Sequence, residues 1–70
     1  MDTLSQQAVV VELADRHSND LDVFLLWARF SGRLWVDVVH RRSGRVGQIE
    51  ATRANALDVF NHPFAYAPAA

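Results

Sequence analysis

The stretch VFLLWARFSGRLWVDVV, residues 23–39, decides the fold of this 70-residue chain. It holds two runs of β-branched, aromatic and leucine side chains, which favour a pleated strand. Between the runs lies Ser31-Gly32, and a glycine after a small polar residue is typical of a hairpin turn with one left-handed residue. The stretch therefore predicts two antiparallel strands joined by a tight hairpin.

The residues that follow repeat this pattern. Ser43-Gly44 predicts a second turn, and VGQIEA, residues 46–51, predicts a third strand. Residues 53–61 then predict two turns of helix, because the apolar residues recur at helical spacing and helix is disfavoured just before Pro63. Leu57 and Phe60, three residues apart, are expected to pack on the sheet.

The N-terminal part of the chain allows two interpretations. Residues 8–14 contain three consecutive valines, which favour a strand, although the apolar residues between 4 and 11 also have helical spacing. We favour the strand, which makes a four-stranded meander with a polar loop at residues 18–20. A helix at this position would leave three strands.

The register of the first hairpin decides which side chains share a face. We expect three-residue loops, with Trp27 opposite Trp35, because Ser-Gly is a weaker signal than Asn-Gly for a two-residue turn. With two-residue loops, Trp27 would instead lie opposite Val36. In the expected register both faces are apolar, with Phe24, Leu26, Ala28, Leu34, Val36 and Val38 on one and Val23, Leu25, Trp27, Trp35, Val39 and Ile49 on the other. A free-standing antiparallel sheet usually has one polar face, so each side here needs a cover.

These elements predict a single α+β domain. It consists of a three- or four-stranded antiparallel β-meander with a short C-terminal helix and an aromatic tail packed on the sheet. A chain of this length makes one domain. We divide residues 1–70 into an acidic N-terminal segment (1–21), the β-hairpins (22–52), and the helix and aromatic tail (53–67).

The composition excludes several classes of protein. The chain has no cysteine, which excludes disulfides and thiolate zinc sites, and its three histidines have no metal-ligand spacing. No apolar run approaches the roughly 18 residues of a membrane helix, and the N-terminus has no signal-peptide pattern. We therefore expect a soluble, cytoplasmic protein without a membrane segment, metal or cofactor.

The near-neutral net charge of −1 conceals an uneven distribution. Residues 1–28 hold one arginine against five carboxylates, whereas residues 29–53 hold six arginines against two. The two segments carry −4 and +4, so their charges cancel. We expect the two segments to pair within the molecule or between subunits.

Two groups of residues are candidates for binding. Arg41, Arg42 and Arg45 flank the second turn and could bind phosphates or an acidic partner, because a guanidinium offers a bidentate fork. Trp27 and Trp35 could stack on nucleobases. Their expected neighbours are apolar, however, which favours a core or an interface between subunits. We expect an interface formed by Trp27, Trp35, Phe64 and Tyr66.

Two possible catalytic pairs have weaker support. His62 follows Asp58 by four residues, as an oriented general base would require, but no nucleophile can be placed beside them. Asp37 and Glu50 fall on opposite faces in the expected register. We therefore predict no catalytic residues.

The C-terminal string ALDVFNHPFAYA, residues 56–67, resembles the ending of a group of short actinobacterial proteins without an assigned activity. Leu25-Leu26-Trp27 and the two Gly-containing turns are also similar to that group, so the resemblance covers residues 22–67. It implies three strands followed by a tail, and it implies no catalytic residue.

The sequence favours a small, non-enzymatic binding or accessory module that acts through protein–protein interaction. A homodimer is the expected assembly, joined through the Trp27/Trp35 face or an exposed strand edge, because a core of this size is small and lacks a disulfide or metal to reinforce it. Binding of nucleic acid or an acidic partner by the hairpin arginines is the alternative. A 70-residue chain leaves little room for an enclosed active site.

Overall fold

The fold is one four-stranded antiparallel sheet with a short helix packed on one side. A computed structural model describes residues 9–66 of the chain. The elements are β1 (Val10–Ser18), β2 (Leu21–Ala28), β3 (Leu34–His40), β4 (Arg45–Ala51), α1 (Ala56–Asn61) and a 3-10 turn (Pro63–Ala65). The strands lie in the order β1-β2-β3-β4, so each neighbour in the sheet is a neighbour in sequence.

The predicted α+β class and the meander are confirmed, including the N-terminal strand. β1 extends to Ser18, further than expected, and only Asn19 and Asp20 remain for its turn to β2. Part of the expected strand, at Ala8, lies outside the described residues, as does the end of the tail at Ala67. Within residues 9–66 no helix is long and apolar enough to cross a membrane.

Both glycine turns adopt the left-handed conformation that the sequence indicates. Gly32 has φ 75° and Gly44 has φ 76°, and each donates its N–H to the residue that ends the preceding strand, at 2.8 Å to the carbonyl of Ala28 and 2.7 Å to that of His40. The loops have four residues, 29–32 and 41–44, rather than the three expected.

The longer loop makes the expected register wrong. Trp27 lies opposite Leu34, and Trp35 lies opposite Leu26. Because side chains alternate between faces along a strand, this shift of one residue places the two tryptophans on opposite faces of the sheet. The two-residue-loop alternative, with Trp27 opposite Val36, is wrong as well.

The observed register gathers the core on the side of the sheet that α1 covers. Buried side chains from three strands and from α1 form one cluster there, made of Val23, Leu25, Val36, Val38, Ile49, Ala56, Val59 and Phe60. The helical stripe is thus Ala56, Val59 and Phe60, and Leu57 points outward with 66% of its surface exposed. The expectation that Leu57 packs on the sheet is wrong, because spacings of three and four residues from Ala56 define the buried face.

Arg16 of β1 connects the C-terminal end of α1 to the sheet through hydrogen bonds. Its guanidinium donates to the carbonyl of Phe60 at 3.1 and 2.8 Å and to that of Asn61 at 3.2 Å, and it lies 5.4 Å from the centre of the Phe60 ring. The last carbonyls of a helix have no partners within the helix, and α1 has no basic residue in its last turn. Arg16 supplies both the donors and the positive charge that this end requires.

Replacing Arg16 is expected to loosen the helix. Arg16→Ala should lower the free energy of unfolding by about 2 kcal/mol, since hydrogen bonds from a charged donor contribute roughly 1.5–3 kcal/mol. Arg16→Lys should recover only part of this loss because an ammonium cannot contact two carbonyls in the same fork geometry. The control is Arg42→Ala, at a largely exposed ion pair. Urea unfolding checks the prediction, and equal stability of the Arg16 and Arg42 variants would contradict it.

The turn geometry gives a second expectation. Gly44→Ala should cost about 1–2 kcal/mol, because a residue with a Cβ is strained in the left-handed conformation. Gly47→Ala is the matched control, since Gly47 lies in β4 without a positive φ and a Cβ there would meet nothing within 4 Å. In thermal unfolding, Gly44→Ala should lower the Tm and Gly47→Ala should leave it unchanged. A similar change in both variants would show that the turn conformation is not the cause.

Candidate functional site

The face of the sheet opposite α1 is its most distinctive surface, and we call it the open face. Its strand side chains include seven apolar residues, Val10, Phe24, Leu26, Ala28, Trp35, Val39 and Val46. They also include five carboxylates, Glu12, Asp15, Asp22, Asp37 and Glu50. Arg33, just before β3, stacks over this face. The expectation of two apolar faces is therefore wrong, because the register places most of the charged strand residues on one side.

Trp35 lies at the centre of the open face beneath a polar network. The guanidinium of Arg33 lies 4.4 Å from the Trp35 ring centre, a cation–π contact. Arg33 donates to Glu50 through Nε, at 3.1 and 2.8 Å, and also through its Nη2. Trp35 is only 7% exposed, and its buried indole N–H has no hydrogen-bond acceptor among residues 9–66.

Glu50 and Asp37 lie on this same face, which corrects the expectation of opposite faces. Gln48 links the network, because it accepts from Arg33 at 3.2 Å and donates to Asp37 at 3.3 Å. The hydrogen bonds from Arg33 lower the pKa of Glu50 below its usual 4.5, and those same bonds raise the pKa of Arg33. A carboxylate held ionised in this way is suited to structural pairing rather than to proton donation at neutral pH.

His17 forms a second polar group on the open face. Its Nδ1 lies 2.7 Å from Asp22 and its Nε2 lies 2.8 Å from Asp15. The hydrogen bond with Asp22, followed by that with Asp15, raises the pKa of His17 above its usual 6.5. Arg41 also approaches Asp22, at 3.5 Å, so this carboxylate neighbours two basic groups.

Two of the three hairpin arginines are already engaged. Arg41 donates to the carbonyls of Ser18 and Asn19, the latter at 2.7 Å, and Arg42 lies 3.4 Å from Asp20. Arg45 makes no ion pair with any residue between 9 and 66. The pairing expected between the acidic and basic segments is therefore present, and it occupies groups that were candidates for binding an anion.

The four residues expected at one interface lie in three separate places. Trp35 is on the open face, whereas Trp27 lies on the helix side and lines a groove of about 350 Å³ with Leu13 and Leu34. Phe64 and Tyr66 lie exposed after α1, and the Phe64 ring is 6.2 Å from that of His40. The structure therefore does not bring the four side chains onto one face, and a role of each in an interface stays a prediction.

Asp58 and His62 do not form an oriented pair. The Asp58 carboxylate accepts a hydrogen bond from the Tyr66 hydroxyl, which raises the pKa of Tyr66, and His62 reaches Asp58 only through backbone atoms. His62 lines an open cleft of about 410 Å³ whose lining includes no serine, threonine or carboxylate. Within residues 9–66 no group of three or more metal-ligating side chains is placed to hold an ion.

The sequence placed Arg33 beside the first turn but did not predict its contact with Trp35. The spacing of two residues, which puts both side chains on one face, was the available signal. Arg16 gave no local signal, because its partners lie 44 and 45 residues away.

In comparisons with known proteins, no family model, no curated protein and no solved structure matches this chain. The surfaces described above therefore carry the functional inference by themselves.

The His17 network has a testable pH dependence. NMR titration should give His17 a pKa above 6.5, and Asp22→Asn should lower it more than Asp15→Asn. Because the pKa is raised in the folded state, the network stabilises the fold fully below the unfolded pKa and stops doing so as the pH rises through the folded value. Asp58→Asn, on the other side of the sheet, should leave the titration unchanged. An unshifted His17 in the wild type would disprove the network in solution.

Proposed function

We propose that this chain is a small, non-enzymatic protein-interaction module that forms a homodimer through the outer edge of β4. The observation that carries the proposal is the regular, uninterrupted pairing of β4 at one edge of the sheet. β4 ends the sheet, and all seven of its residues pair with β3 without a register shift. Among residues 9–66 no segment other than β3 pairs with β4, so its outward backbone groups form a regular row that is a template for pairing with another strand.

The opposite edge, β1, is built differently. Its pairing with β2 shifts between Glu12 and Ala14, leaving Leu13 as a bulged residue. A bulge interrupts the ladder and twists the strand, a common way to discourage pairing at an edge. The contrast between an interrupted β1 and a regular β4 favours β4 as the site of association.

The side chains of β4 suit a symmetric partner. Two copies related by a twofold axis perpendicular to the sheet would pair β4 with β4 in antiparallel fashion, with both helices on the same side. Pairing centred on Gln48 sets Gly47 opposite Ile49 of the second copy and Val46 opposite its Glu50. The result is a continuous eight-stranded sheet.

The size of the chain supports the same conclusion. A domain of this length buries only about 60% of the surface of its unfolded chain, and small domains commonly gain further stability from association. This chain has no cysteine for a disulfide. Pairing two β4 edges would satisfy backbone groups that one chain alone leaves to water.

The hairpin arginines offer a second candidate function with less support. Binding of nucleic acid or an acidic partner by Arg41, Arg42 and Arg45 would require the first two to leave the Asp22 and Asp20 partners that they already have. The five carboxylates of the open face would also repel a polyanion.

Sedimentation velocity tests the dimer with a matched pair of variants. The wild type is expected to be a dimer at micromolar concentration. Val46→Glu should weaken the dimer roughly tenfold, because it sets like charges opposite each other twice in the symmetric pairing. Val10→Glu introduces the same charge at the β1 edge and should leave the dimer intact, and both valines are exposed, at 61% and 43%. A monomeric wild type, or equal effects of the two variants, would refute the proposal.

Single cysteines give an independent check of the edge, because the chain has none of its own. Gln48→Cys should form a disulfide-linked dimer under mild oxidation, since directly opposed residues of antiparallel strands lie within disulfide range. Glu12→Cys, on β1, should not.

A further inference from the structure

The open face carries more negative charge than its own basic groups neutralise. Arg33 pairs with Glu50, His17 lies between Asp15 and Asp22, and Arg41 approaches Asp22 from the turn. Among residues 9–66, in contrast, Glu12 makes no ion pair and Asp37 accepts a hydrogen bond from Gln48 alone. The carboxylates surround an apolar strip formed by Phe24, Leu26, Trp35, Val39 and Val46. A surface of this kind attracts cationic groups and offers apolar area to the side chains that accompany them.

A second observation, independent of the charge, points to a ligand on this face. Trp35 is more than nine-tenths buried, yet its indole N–H has no acceptor among residues 9–66. Buried donors are almost always hydrogen-bonded in folded proteins, and an unpaired one at a surface formed by charged and apolar groups suggests a partner that brings an acceptor.

We propose that the open face binds an extended segment of another protein that carries both basic and apolar side chains at every second position, so that they share one face of the segment. The basic side chains pair with Glu12 and Asp37, the apolar ones lie on the strip, and a backbone carbonyl accepts the Trp35 N–H. An extended segment fits better than a helix, because the carbonyls within a helix are already hydrogen-bonded to the helix itself.

The charge of the face decides against other occupants. A nucleic acid would bring its phosphates against five carboxylates. A second copy stacked face to face would oppose two surfaces of the same sign. The inference does not depend on the β4 dimer, which leaves the open face of each chain uncovered.

NMR titration with a defined probe tests the inference. The probe is a capped peptide of about ten residues, the length of a long strand, in which every second residue is serine and the positions between them carry arginine and valine in turn, so that both share one face. Its counterpart has glutamate in place of each arginine. The basic peptide should shift the amide signals of the open-face strands, and its affinity should fall by roughly tenfold between about 0.05 and 0.5 M salt through screening. The acidic peptide should not bind.

Matched variants separate local contacts from overall charge. Glu12→Gln should weaken binding of the basic peptide by roughly threefold at low salt, as expected for one partly screened ion pair. Asp20→Asn removes the same charge from the β1–β2 turn, away from the open face, and should have little effect. Trp35→Phe keeps an aromatic ring but removes the donor, and it should weaken binding by roughly fivefold, which is the loss of one ordinary hydrogen bond.

Several outcomes would overturn the inference. These are the absence of binding at low salt, equal binding of the acidic peptide, shifted signals confined to the helix side, and equal effects of Glu12→Gln and Asp20→Asn. Shifts of the open-face signals of β1 and β2 on simple dilution would also overturn it, because these strands lie away from the β4 edge and their shifts would mean that a second copy covers this face. The Trp35→Phe spectrum in the absence of peptide verifies that the variant is folded, and binding by a folded Trp35→Phe variant with wild-type affinity would remove the role of the indole N–H.

Discussion

The left-handed conformation of Gly32 and Gly44 is the constraint on which the rest of the structure depends. Each glycine closes a four-residue loop by donating to the last carbonyl of the strand before it, and this closure leaves one way to align the neighbouring strands. The alignment in turn sends Val23, Leu25 and Val36 toward α1 and leaves Trp35 on the open face. A loop shorter by one residue would exchange these roles, because side chains alternate along a strand.

The strands, the turns and the end of the helix could be predicted because each rests on local chemistry. β-branched runs favour strands, glycine permits the left-handed turn, and Pro63 disfavours helix at the residue before it. The register could not be predicted, because Ser-Gly is compatible with loops of three or four residues. The error then passed to every residue whose face depends on the register, including Trp27, Trp35, Asp37 and Glu50. The contact of Arg16 with α1 was also beyond local patterns, since only the folded sheet brings the two segments together.

The charge pattern was partly predictable, because the acidic and basic residues are separated along the chain. The acidic first segment and the basic second segment do pair, through Arg41 with Asp22 and Arg42 with Asp20. These pairs lie at the end of the sheet that carries the β1–β2 and β3–β4 turns. The sequence balance nevertheless hides a local excess, because strand alternation collects five carboxylates on one face. A chain that is nearly neutral overall thus presents a negative surface on one side.

The contact between Arg16 and the end of α1 also has a consequence for the order of folding. The meander is built from neighbours in sequence, so its hairpins can form one after another as contacts of short range become available, which favours rapid folding. The helix differs, because Arg16, which donates hydrogen bonds to its last turn, lies 44 residues before Phe60 in the chain. On the ribosome, the sheet can therefore assemble before residues 56–61 emerge, and its core face is exposed to water until the helix arrives. The segment that shields the apolar core is synthesised after the sheet, so the nascent sheet is most prone to aggregate before residues 56–61 emerge.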